Sequence, residues 1–311
     1  MNTLDRQYKR LLETVLEYGV NKDDRTGTGT RSIFGYTIRH NMNNGFPLLT
    51  TKRMAVKTMM TELKWFLKGD TNIKYLVDNG CNIWNGDAYK NYVIKVNMQP
   101  GVPIGDLLEQ SEFINKIKTD NKFAKKWGEL GPIYGKQWRA WTTDSEYIDG
   151  ETYFKYQPID QIKNLIQQIK TNPDSRRLMV NAWNVADLDH MLLPPCHYGF
   201  QCYIGNGKLS LIWNQRSCDI PLGIPFNIAS YGTLLLLLCE ETGYEPGELI
   251  GSLGDCHIYL NQIEGVEEQI SRDGFKLPTI ELSNVDILNG EFDYELVNYQ
   301  SATPIKFPLS N

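Results

Sequence analysis

An Asn206-Gly207 pair between two strand-like segments, residues 198–204 and 208–213, constrains the fold of this chain more than any other feature. Such a pair is the strongest short-range signal for a two-residue hairpin turn, because both residues accept the positive φ angles that the turn requires. The sequence therefore predicts two antiparallel strands joined at residues 206–207. The residues just before the first strand and just after the second should then meet at the same end of the sheet.

Cys196 lies at that end, directly after Pro194 and Pro195. Proline fixes φ, so the backbone here suits a side chain that must be presented in one direction. Arg216, at the end of the second strand, is expected to lower the thiol pKa because a nearby cation favours the thiolate. Cys196 is therefore a candidate nucleophile, and the alternative is a small buried hydrophobic residue. His197 should face the other side of the strand, which argues against a Cys-His dyad.

The composition of the 311 residues, with 41% hydrophobic and 22% charged side chains, is that of an ordinary globular protein. The length allows one large domain or two medium ones. The net charge of −5 argues against a general nucleic-acid surface, although it allows a local arginine pocket for one phosphate.

Cysteine usage favours a reducing compartment. The six cysteines form no Cys-x-x-Cys pair, and the first residues lack the apolar core of a signal peptide. We therefore expect a cytoplasmic protein. The most apolar stretch, residues 234–239, is too short to span a bilayer, so we expect no membrane insertion.

Glu62 falls within a helical stripe of apolar residues that includes Met59, Leu63 and Phe66. A carboxylate on an apolar face is unfavourable unless it is paired or protonated, so its pKa should rise. Glu62 is therefore a candidate proton carrier. The alternative is that Glu62 lies at the edge of the stripe and reaches water.

Three arginines are candidates for holding an anion. Arg25 lies in a glycine-rich loop, residues 24–30, where backbone N–H groups can approach a negative charge. Arg176 and Arg177 are adjacent and lead into an apolar strand, where they could clamp a phosphate or form a solvated strand end.

Other polar residues could belong to a site or serve only the fold. Tyr134 lies between glycine-flanked turns and faces either a cleft or the core. Asn227 precedes a long hydrophobic run and could cap that helix. Asp255, His257 and Tyr259 should share one strand face, where a polar row lines a pocket or a buried network.

With these residues in view, the chain resembles the thymidylate synthase family over nearly its whole length. The matching segments are, in chain order, Asp24-Arg25-Thr26-Gly27-Thr28-Gly29-Thr30, Glu62 with Trp65, Tyr134-Gly135-Lys136-Gln137-Trp138-Arg139, Asp174-Ser175-Arg176-Arg177, Pro195-Cys196-His197, Gln215-Arg216-Ser217-Cys218-Asp219, Pro225-Phe226-Asn227-Ile228-Ala229-Ser230-Tyr231 and His257-Ile258-Tyr259. Several separate motifs in the right order make chance similarity very improbable.

The resemblance implies an α+β fold, with one domain spanning residues 1–311 and a surface insertion at about residues 86–128. In this fold a large twisted mixed β-sheet is covered by helices on one face and packs against a second subunit on the other. It thus implies a homodimer, in which Arg176 and Arg177 of each subunit reach across the interface.

The reaction that the resemblance implies is reductive methylation of dUMP by 5,10-methylenetetrahydrofolate, which gives dTMP and dihydrofolate. Cys196 would add to carbon-6 of the uracil as a thiolate. Asn227 would hydrogen-bond the uracil edge. Glu62 would organise waters and relay protons, and Tyr134 would help to remove the carbon-5 proton.

The resemblance also implies two sets of binding residues. The dUMP-binding set comprises Arg25, Arg176, Arg177, Arg216, Ser217, Asp219, Asn227, His257 and Tyr259, of which the arginines and Ser217 would hold the phosphate, and His257 and Tyr259 the sugar hydroxyl. The folate-binding set comprises Lys52, Ile83, Trp84, Asp219, Leu222, Gly223 and Phe226. Asp219 would also serve catalysis, together with Arg216, and no metal is expected.

Three positions depart from the usual family pattern. Asp87 stands where a second tryptophan is expected, Asn214 replaces a tyrosine, and the tail ends in Asn311 rather than in a small apolar residue. A dUMP hydroxymethylase of the same superfamily is the nearest alternative, because the loss of an aromatic residue near the folate could admit water. A nucleotide-binding or RNA-binding regulator without turnover is the alternative from another class.

Overall fold

A six-stranded mixed sheet is the centre of the fold, in the order β1-β2-β8-β7-β6-β5. A computed structural model describes residues 1–98, 107–142, 146–149, 152–155 and 157–310. The strands are β1 Val20–Lys22, β2 Thr30–Asn41, β3 Glu146–Asp149, β4 Thr152–Lys155, β5 Met179–Asn181, β6 His197–Gly205, β7 Lys208–Asp219, β8 Glu245–Tyr259, β9 Thr279–Asp286 and β10 Glu291–Val297. Strands β3 and β4 form one separate antiparallel pair, and β9 and β10 form another.

Helices cover the sheet and build the walls of the site. They are α1 Thr3–Tyr18, α2 Val56–Leu67, α3 Lys74–Asp78, α4 Asn85–Asn97, α5 Gln110–Thr119, α6 Asn121–Trp127, α7 Tyr134–Ala140, α8 Gln161–Thr171, α9 Gly223–Thr242 and α10 Ile263–Ser271. The first helix begins where the Asn2 side chain accepts a hydrogen bond from the Asp5 N–H, which satisfies one donor of the open helix end.

The predicted hairpin is confirmed. Strands β6 and β7 pair antiparallel, and Gly205 faces Lys208 across the turn. Asn206 and Gly207 have φ angles of 52° and 74°, as the turn requires. Strand β7 runs on to Asp219, beyond the predicted end, because it also pairs in parallel with β8 along its length.

Helix α9 is the crossover between the parallel strands β7 and β8. It ends at Gly243, which has a φ angle of 77° and donates its N–H to the Cys239 carbonyl. By length and composition it is the one helix in the described residues that could cross a membrane, but 67% of its apolar window is buried. The most apolar stretch identified in the sequence covers only residues 234–239, whereas α9 has 20 residues, and its burial marks it as a core helix.

The two faces of the sheet differ in burial. On β7, the side chains of Leu209, Leu211 and Trp213 are completely buried, whereas Ile212 and Asn214 on the opposite face are partly exposed. The buried face lies under α1 and α9. The α+β fold with helices on one face of a mixed sheet is thus confirmed.

The opposite face carries several exposed apolar side chains. Phe34 on β2 is 90% exposed, and Tyr203 on β6 is 70% exposed. Met179 on β5 and Tyr198 on β6 are also exposed. Large exposed apolar groups on one sheet face are typical of a surface that binds another protein.

Residues 86–128, which were expected as a surface insertion, contain helical structure with a core of its own. Helices α4, α5 and α6 enclose an aromatic cluster in which Tyr92 lies 5.0 Å from both Phe113 and Trp127. Tyr89 and Phe123 complete this cluster. Apolar periodicity along the sequence does not reveal this core, because its aromatic residues come from three separate helices. Residues 99–106 lie outside the described residues.

Candidate active site

Cys196 lies where β6 begins beside the end of β7. The Arg216 N–H donates to the Cys196 carbonyl at 2.9 Å, as the hairpin predicts. The Cys196 N–H donates to the Tyr134 hydroxyl oxygen at 2.8 Å, which ties the cysteine to α7. Two secondary-structure elements therefore fix the backbone on both sides of the thiol.

The carbonyl groups of the two prolines before the cysteine bind the Arg216 side chain. Its Nε donates to the Pro195 carbonyl and its Nη2 to the Pro194 carbonyl, each at 2.9 Å. The guanidinium group also lies over the Trp183 ring, 5.3 Å from the ring centre. The arginine is thus oriented by carbonyl groups, and its further N–H donors are available to an anion.

The thiol pKa differs from the expectation. Burial raises the pKa of Cys196, while the Arg216 charge and hydrogen bonds to Ser217 and Tyr134 lower it to a smaller extent. The prediction that Arg216 favours the thiolate was right for the contribution of this charge, but wrong for the net direction. The sequence does not reveal how deeply the sulfur is enclosed, and removal of water disfavours the charged form.

Glu62 on α2 faces the same site. Its carboxylate accepts a hydrogen bond from Trp84 Nε1 at 2.8 Å. Burial raises the pKa of Glu62 to about 7, and the Trp84 bond opposes this rise. The predicted rise is confirmed, and a carboxyl group with a pKa near neutrality is suited to proton transfer.

Tyr134 and His197 form a stacked pair beside the cysteine, with ring centres 4.4 Å apart. His197 Nδ1 is hydrogen-bonded to the Tyr231 hydroxyl at 2.8 Å. Burial lowers the pKa of His197 to about 3, so the ring is neutral. Its partner is a tyrosine and not the thiol, which agrees with the prediction that Cys196 and His197 form no dyad.

Asn227 does not cap α9, because the helix begins at Gly223. The N-cap is Leu222, which makes no side-chain cap bond, and the Asp219 carboxylate accepts a hydrogen bond from the Leu222 N–H at 3.0 Å just before the helix. Asn227 lies in the second turn, where its Oδ1 accepts from Gln215 Nε2 at 3.1 Å. The cap interpretation was wrong because α9 begins at Gly223, before the apolar run from which the helix was predicted.

The orientation of the Asn227 amide follows from Trp213. The indole N–H of Trp213 can only donate, and it donates to Gln215 Oε1 at 3.2 Å. Gln215 must then turn its NH₂ group toward Asn227 Oδ1. Asn227 therefore keeps its own NH₂ group for the pocket. Trp213 was not among the residues predicted for the site, although its spacing of two from Gln215 on a strand places both side chains on one face.

Asp219 and Lys52 lie near each other, close to the start of α9. Lys52 donates to the Pro221 carbonyl, and burial lowers the pKa of its ammonium group to about 8. Burial also raises the pKa of Asp219, although His257 and Lys52 partly offset this effect. For both groups, loss of water outweighs their mutual attraction.

The C-terminal segment contacts Lys52 and Gln262. The Phe307 ring is buried, and Lys52 Nζ lies 4.7 Å from its centre. Gln262 Nε2 donates to the Pro308 carbonyl at 3.1 Å. Ser310 Oγ lies 3.3 Å from Thr28 Oγ1 of the glycine-rich loop. Asn311 lies outside the described residues.

The polar row on β8 points into the same region. His257 is the parallel partner of Asp219, and Tyr259 pairs with Thr30 at the end of the glycine-rich loop. Burial raises the pKa of Tyr259, as do the nearby charges of Asp219, Asp24 and Cys196, whereas Arg25 lowers it. Asp24 accepts hydrogen bonds from the backbone N–H groups of Thr26 and Gly29, which folds the loop around Arg25.

The residues of the predicted folate set come mainly from the segment before α4 and from the start of α9. Trp84 is buried, Ile83, Leu222 and Phe226 are partly buried, and Gly223 begins α9. The Trp84 and Tyr134 rings meet edge to face at 6.1 Å. Asp87 lies in the first turn of α4, where burial raises the pKa of its carboxyl group more than Arg25 lowers it.

Arg176 and Arg177 are not brought to the thiol of the same chain. Both are exposed just before β5, at the edge of the sheet. A cavity of about 380 Å³ on the open sheet face includes Met179, Trp183, Tyr198, Asn214 and Arg216 among its lining residues. Asn214 therefore belongs to the open face and is not part of the predicted folate wall.

Comparisons with known proteins agree with this geometry. A family model described as thymidylate synthase matches residues 6–311. The thymidylate synthase of Mycoplasma mobile is 48% identical over 304 residues, which cover 96% of this chain and 98% of the relative. The thymidylate synthases of Listeria monocytogenes serotype 4a and Listeria innocua serovar 6a are each 46% identical over 322 aligned positions, covering 98% of this chain and 99% of each relative.

Proposed function

Because the chain belongs to the thymidylate synthase family, whose enzymes make dTMP from dUMP with methylenetetrahydrofolate, we propose that it acts by reductive methylation through a covalent cysteine adduct. The observation that carries this proposal is the convergence on Cys196 of Arg216 from β7 and Tyr134 from α7. These contacts hold a nucleophile beside a cation and a proton carrier.

In the proposed reaction, the Cys196 thiolate adds to carbon-6 of the uracil, and the electron pair moves to carbon-5 and the 4-oxygen. Arg216 and the Ser217 hydrogen bond favour the thiolate form. The Asn227 NH₂ group, whose orientation is set by Gln215, donates to the developing charge on the 4-oxygen.

Glu62 and Tyr134 serve the proton transfers of the proposed mechanism. With a pKa near 7, Glu62 can hold or release a proton through ordered water at neutral pH. Tyr134 helps to remove the carbon-5 proton, and its contact with the Cys196 backbone keeps it beside the adduct.

The proposed nucleotide site uses the cations at the pocket mouth. Arg25 and Arg216, with Ser217, bind the phosphate, and His257 and Tyr259 bind the sugar hydroxyl. Both arginines are exposed, as access by a charged ligand requires. Asp219 contributes to binding of both ligands because it lies between His257 and the start of α9.

The folate would lie against the wall formed by Ile83, Trp84, Leu222, Gly223 and Phe226, with Lys52 near its acidic end. Partly buried aromatic and aliphatic groups fit a flat heterocycle, and a buried cation fits a carboxylate. When bound, 5,10-methylenetetrahydrofolate supplies the one-carbon unit and the hydride.

We further propose a homodimer formed through the open sheet face. Phe34, Tyr203, Met179 and Tyr198 would be covered by the second subunit. Arg176 and Arg177 would then reach the phosphate bound to the other chain, which accounts for their distance from the thiol of their own chain. We likewise propose that residues 1–311 form one domain, with residues 86–128 as a surface insertion, and that the protein is cytoplasmic.

The test is to incubate the protein with dUMP and methylenetetrahydrofolate and to identify both products. Methylation yields dTMP and dihydrofolate, which raises the near-ultraviolet absorbance. Hydroxymethylation would regenerate tetrahydrofolate and leave a hydroxymethyl nucleotide. The absence of any turnover would refute the proposal and favour a binding role.

A further inference from the structure

His257 contacts two acceptors at one of its ring nitrogens. Nδ1 lies 3.2 Å from the Asp255 carbonyl oxygen and 3.3 Å from Asp255 Oδ1. The other carboxylate oxygen of Asp255 accepts from Lys22 Nζ at 2.9 Å. Lys22 lies on β1 and Asp255 on β8, so the three side chains form a row at one end of the sheet.

This row determines the tautomer of the ring. A neutral imidazole carries one proton, and neither a carbonyl nor a carboxylate oxygen can donate one. The proton must therefore lie on Nδ1, where it can be donated to Asp255. Nε2 is then an unprotonated acceptor, and among the described residues no hydrogen bond to it is found.

We propose that Asp255 is a positioning residue that keeps His257 Nε2 as a hydrogen-bond acceptor for the sugar hydroxyl of the nucleotide. The inference rests on the proposed function, since it assumes that His257 faces this hydroxyl. A hydroxyl can donate to a bare nitrogen, whereas a sugar without that hydroxyl leaves the buried nitrogen unpaired. Asp255 thus contributes to sugar selection without touching the sugar.

The variant Asp255→Asn tests this role, because Lys22 still fixes the orientation of the new amide group. The ammonium group of Lys22 is a donor and retains the amide oxygen. The amide NH₂ group of residue 255 is then turned toward His257 Nδ1. A donor at this position opposes a protonated Nδ1, which then keeps only the backbone carbonyl of residue 255 as acceptor. The Nε2-protonated tautomer should therefore gain population, and the acceptor toward the sugar should be weakened.

The direct readout is the ¹⁵N NMR spectrum of the His257 ring at alkaline pH, where imidazole is neutral. The wild-type protein and Lys22→Met should both show a protonated Nδ1, because the carboxylate of Asp255 accepts in either case. Asp255→Asn should show an increased population of the Nε2-protonated tautomer, although the backbone carbonyl of residue 255 still accepts from Nδ1. The double variant Lys22→Met/Asp255→Asn should return toward the wild-type pattern, because the amide is free to turn.

Kinetics give the second readout. In Asp255→Asn, the KM for dUMP should rise roughly tenfold with little change in kcat, as expected for the loss of one neutral hydrogen bond. The preference for dUMP over its 3′-deoxy analogue should fall by a similar factor. Glu248→Gln is the matched control, because it neutralises another ion-paired carboxylate of β8, partnered by Arg39, and should change neither readout.

The two proposals fail in different ways. An Asp255→Asn protein whose ring keeps the wild-type tautomer, or whose preference between the two nucleotides is unchanged, overturns the role of Asp255. A wild-type protein that does not convert dUMP overturns the proposed function, and the NMR spectra remain readable in that case.

Discussion

Trp84 donates its indole N–H to Glu62 at 2.8 Å and thereby moderates the pKa of a buried carboxyl group. The bond links the predicted folate wall to the predicted proton carrier. A hydrogen bond to a carboxylate favours its charged form, whereas burial favours the neutral form. The value of about 7 reflects burial as the larger of these two effects.

Trp84→Phe should raise the pKa of Glu62 further, because it removes the donor and retains an aromatic ring. The expected result is that the limb of the pH–rate profile that reports Glu62 moves to higher pH. Titration of a ¹³C-labelled glutamate carboxyl group measures the same change without turnover. Trp65→Phe is the control, because the Trp65 indole donates to the Asn72 carbonyl and not to Glu62. An unchanged Glu62 titration in Trp84→Phe would contradict this assignment.

Cys196→Ala should abolish dTMP formation while dUMP still binds. Loss of a nucleophile typically lowers kcat by roughly 10⁴-fold or more, whereas the phosphate and sugar contacts remain. Turnover and calorimetric dUMP binding are the measurements. Cys202→Ala is the matched control, since Cys202 is a buried cysteine of β6, the strand that follows Cys196. An alanine variant at 196 that stays active would refute the nucleophile assignment.

Asn227→Asp should let dCMP compete with dUMP. Gln215 still donates to one carboxylate oxygen, which leaves the other to accept from the amino group of cytosine. Exchanging a donor for an acceptor at a base edge should change the relative affinity roughly 10- to 100-fold. Competition of dCMP against labelled dUMP measures it. Unchanged base preference would count against Asn227 as the residue that reads the base.

His197 should make the protein less stable in acid. Its folded-state pKa of about 3 lies below the ordinary value of 6.5, so the unfolded chain binds the proton more tightly. The contribution of His197 to stability is therefore complete above pH 6.5 and is lost as the pH falls toward 3. At about 1.36 kcal/mol per pKa unit, the loss approaches ~5 kcal/mol.

Urea unfolding across this pH range measures the effect. Glu62 acts in the opposite direction, because its raised pKa makes the folded state bind protons more tightly as the pH falls from 7. Comparing wild type with His197→Phe cancels that contribution, and the variant should lose less stability in acid. His190→Gln, at an exposed histidine, should follow the wild type. Parallel curves for wild type and His197→Phe would disprove the prediction.

Local signals in the sequence predicted the hairpin that carries the site and the environment of Glu62. Asn206-Gly207 identified the hairpin, and the hairpin brought Cys196 to Arg216. The apolar stripe around Glu62 predicted the rise of its pKa, because helical spacing alone places that carboxyl group among apolar side chains.

Other features depend on tertiary contacts that the sequence does not reveal. The net pKa shift of Cys196 depends on its enclosure by several separate segments. The role of Asn227 depends on Trp213 and Gln215 of a neighbouring strand. The aromatic cluster of residues 86–128 comes from three helices whose packing no single periodicity reports.

The crossover from β7 through α9 to β8 has a consequence for refolding. Arg216 and Asp219 precede the helix, Asn227 lies within it, and His257 follows it, so these side chains converge only after a distant parallel pair has closed. Pairing between strands far apart in sequence is slow compared with helix or hairpin formation. Catalytic competence should therefore recover later than helical circular dichroism, in step with the completion of the central sheet.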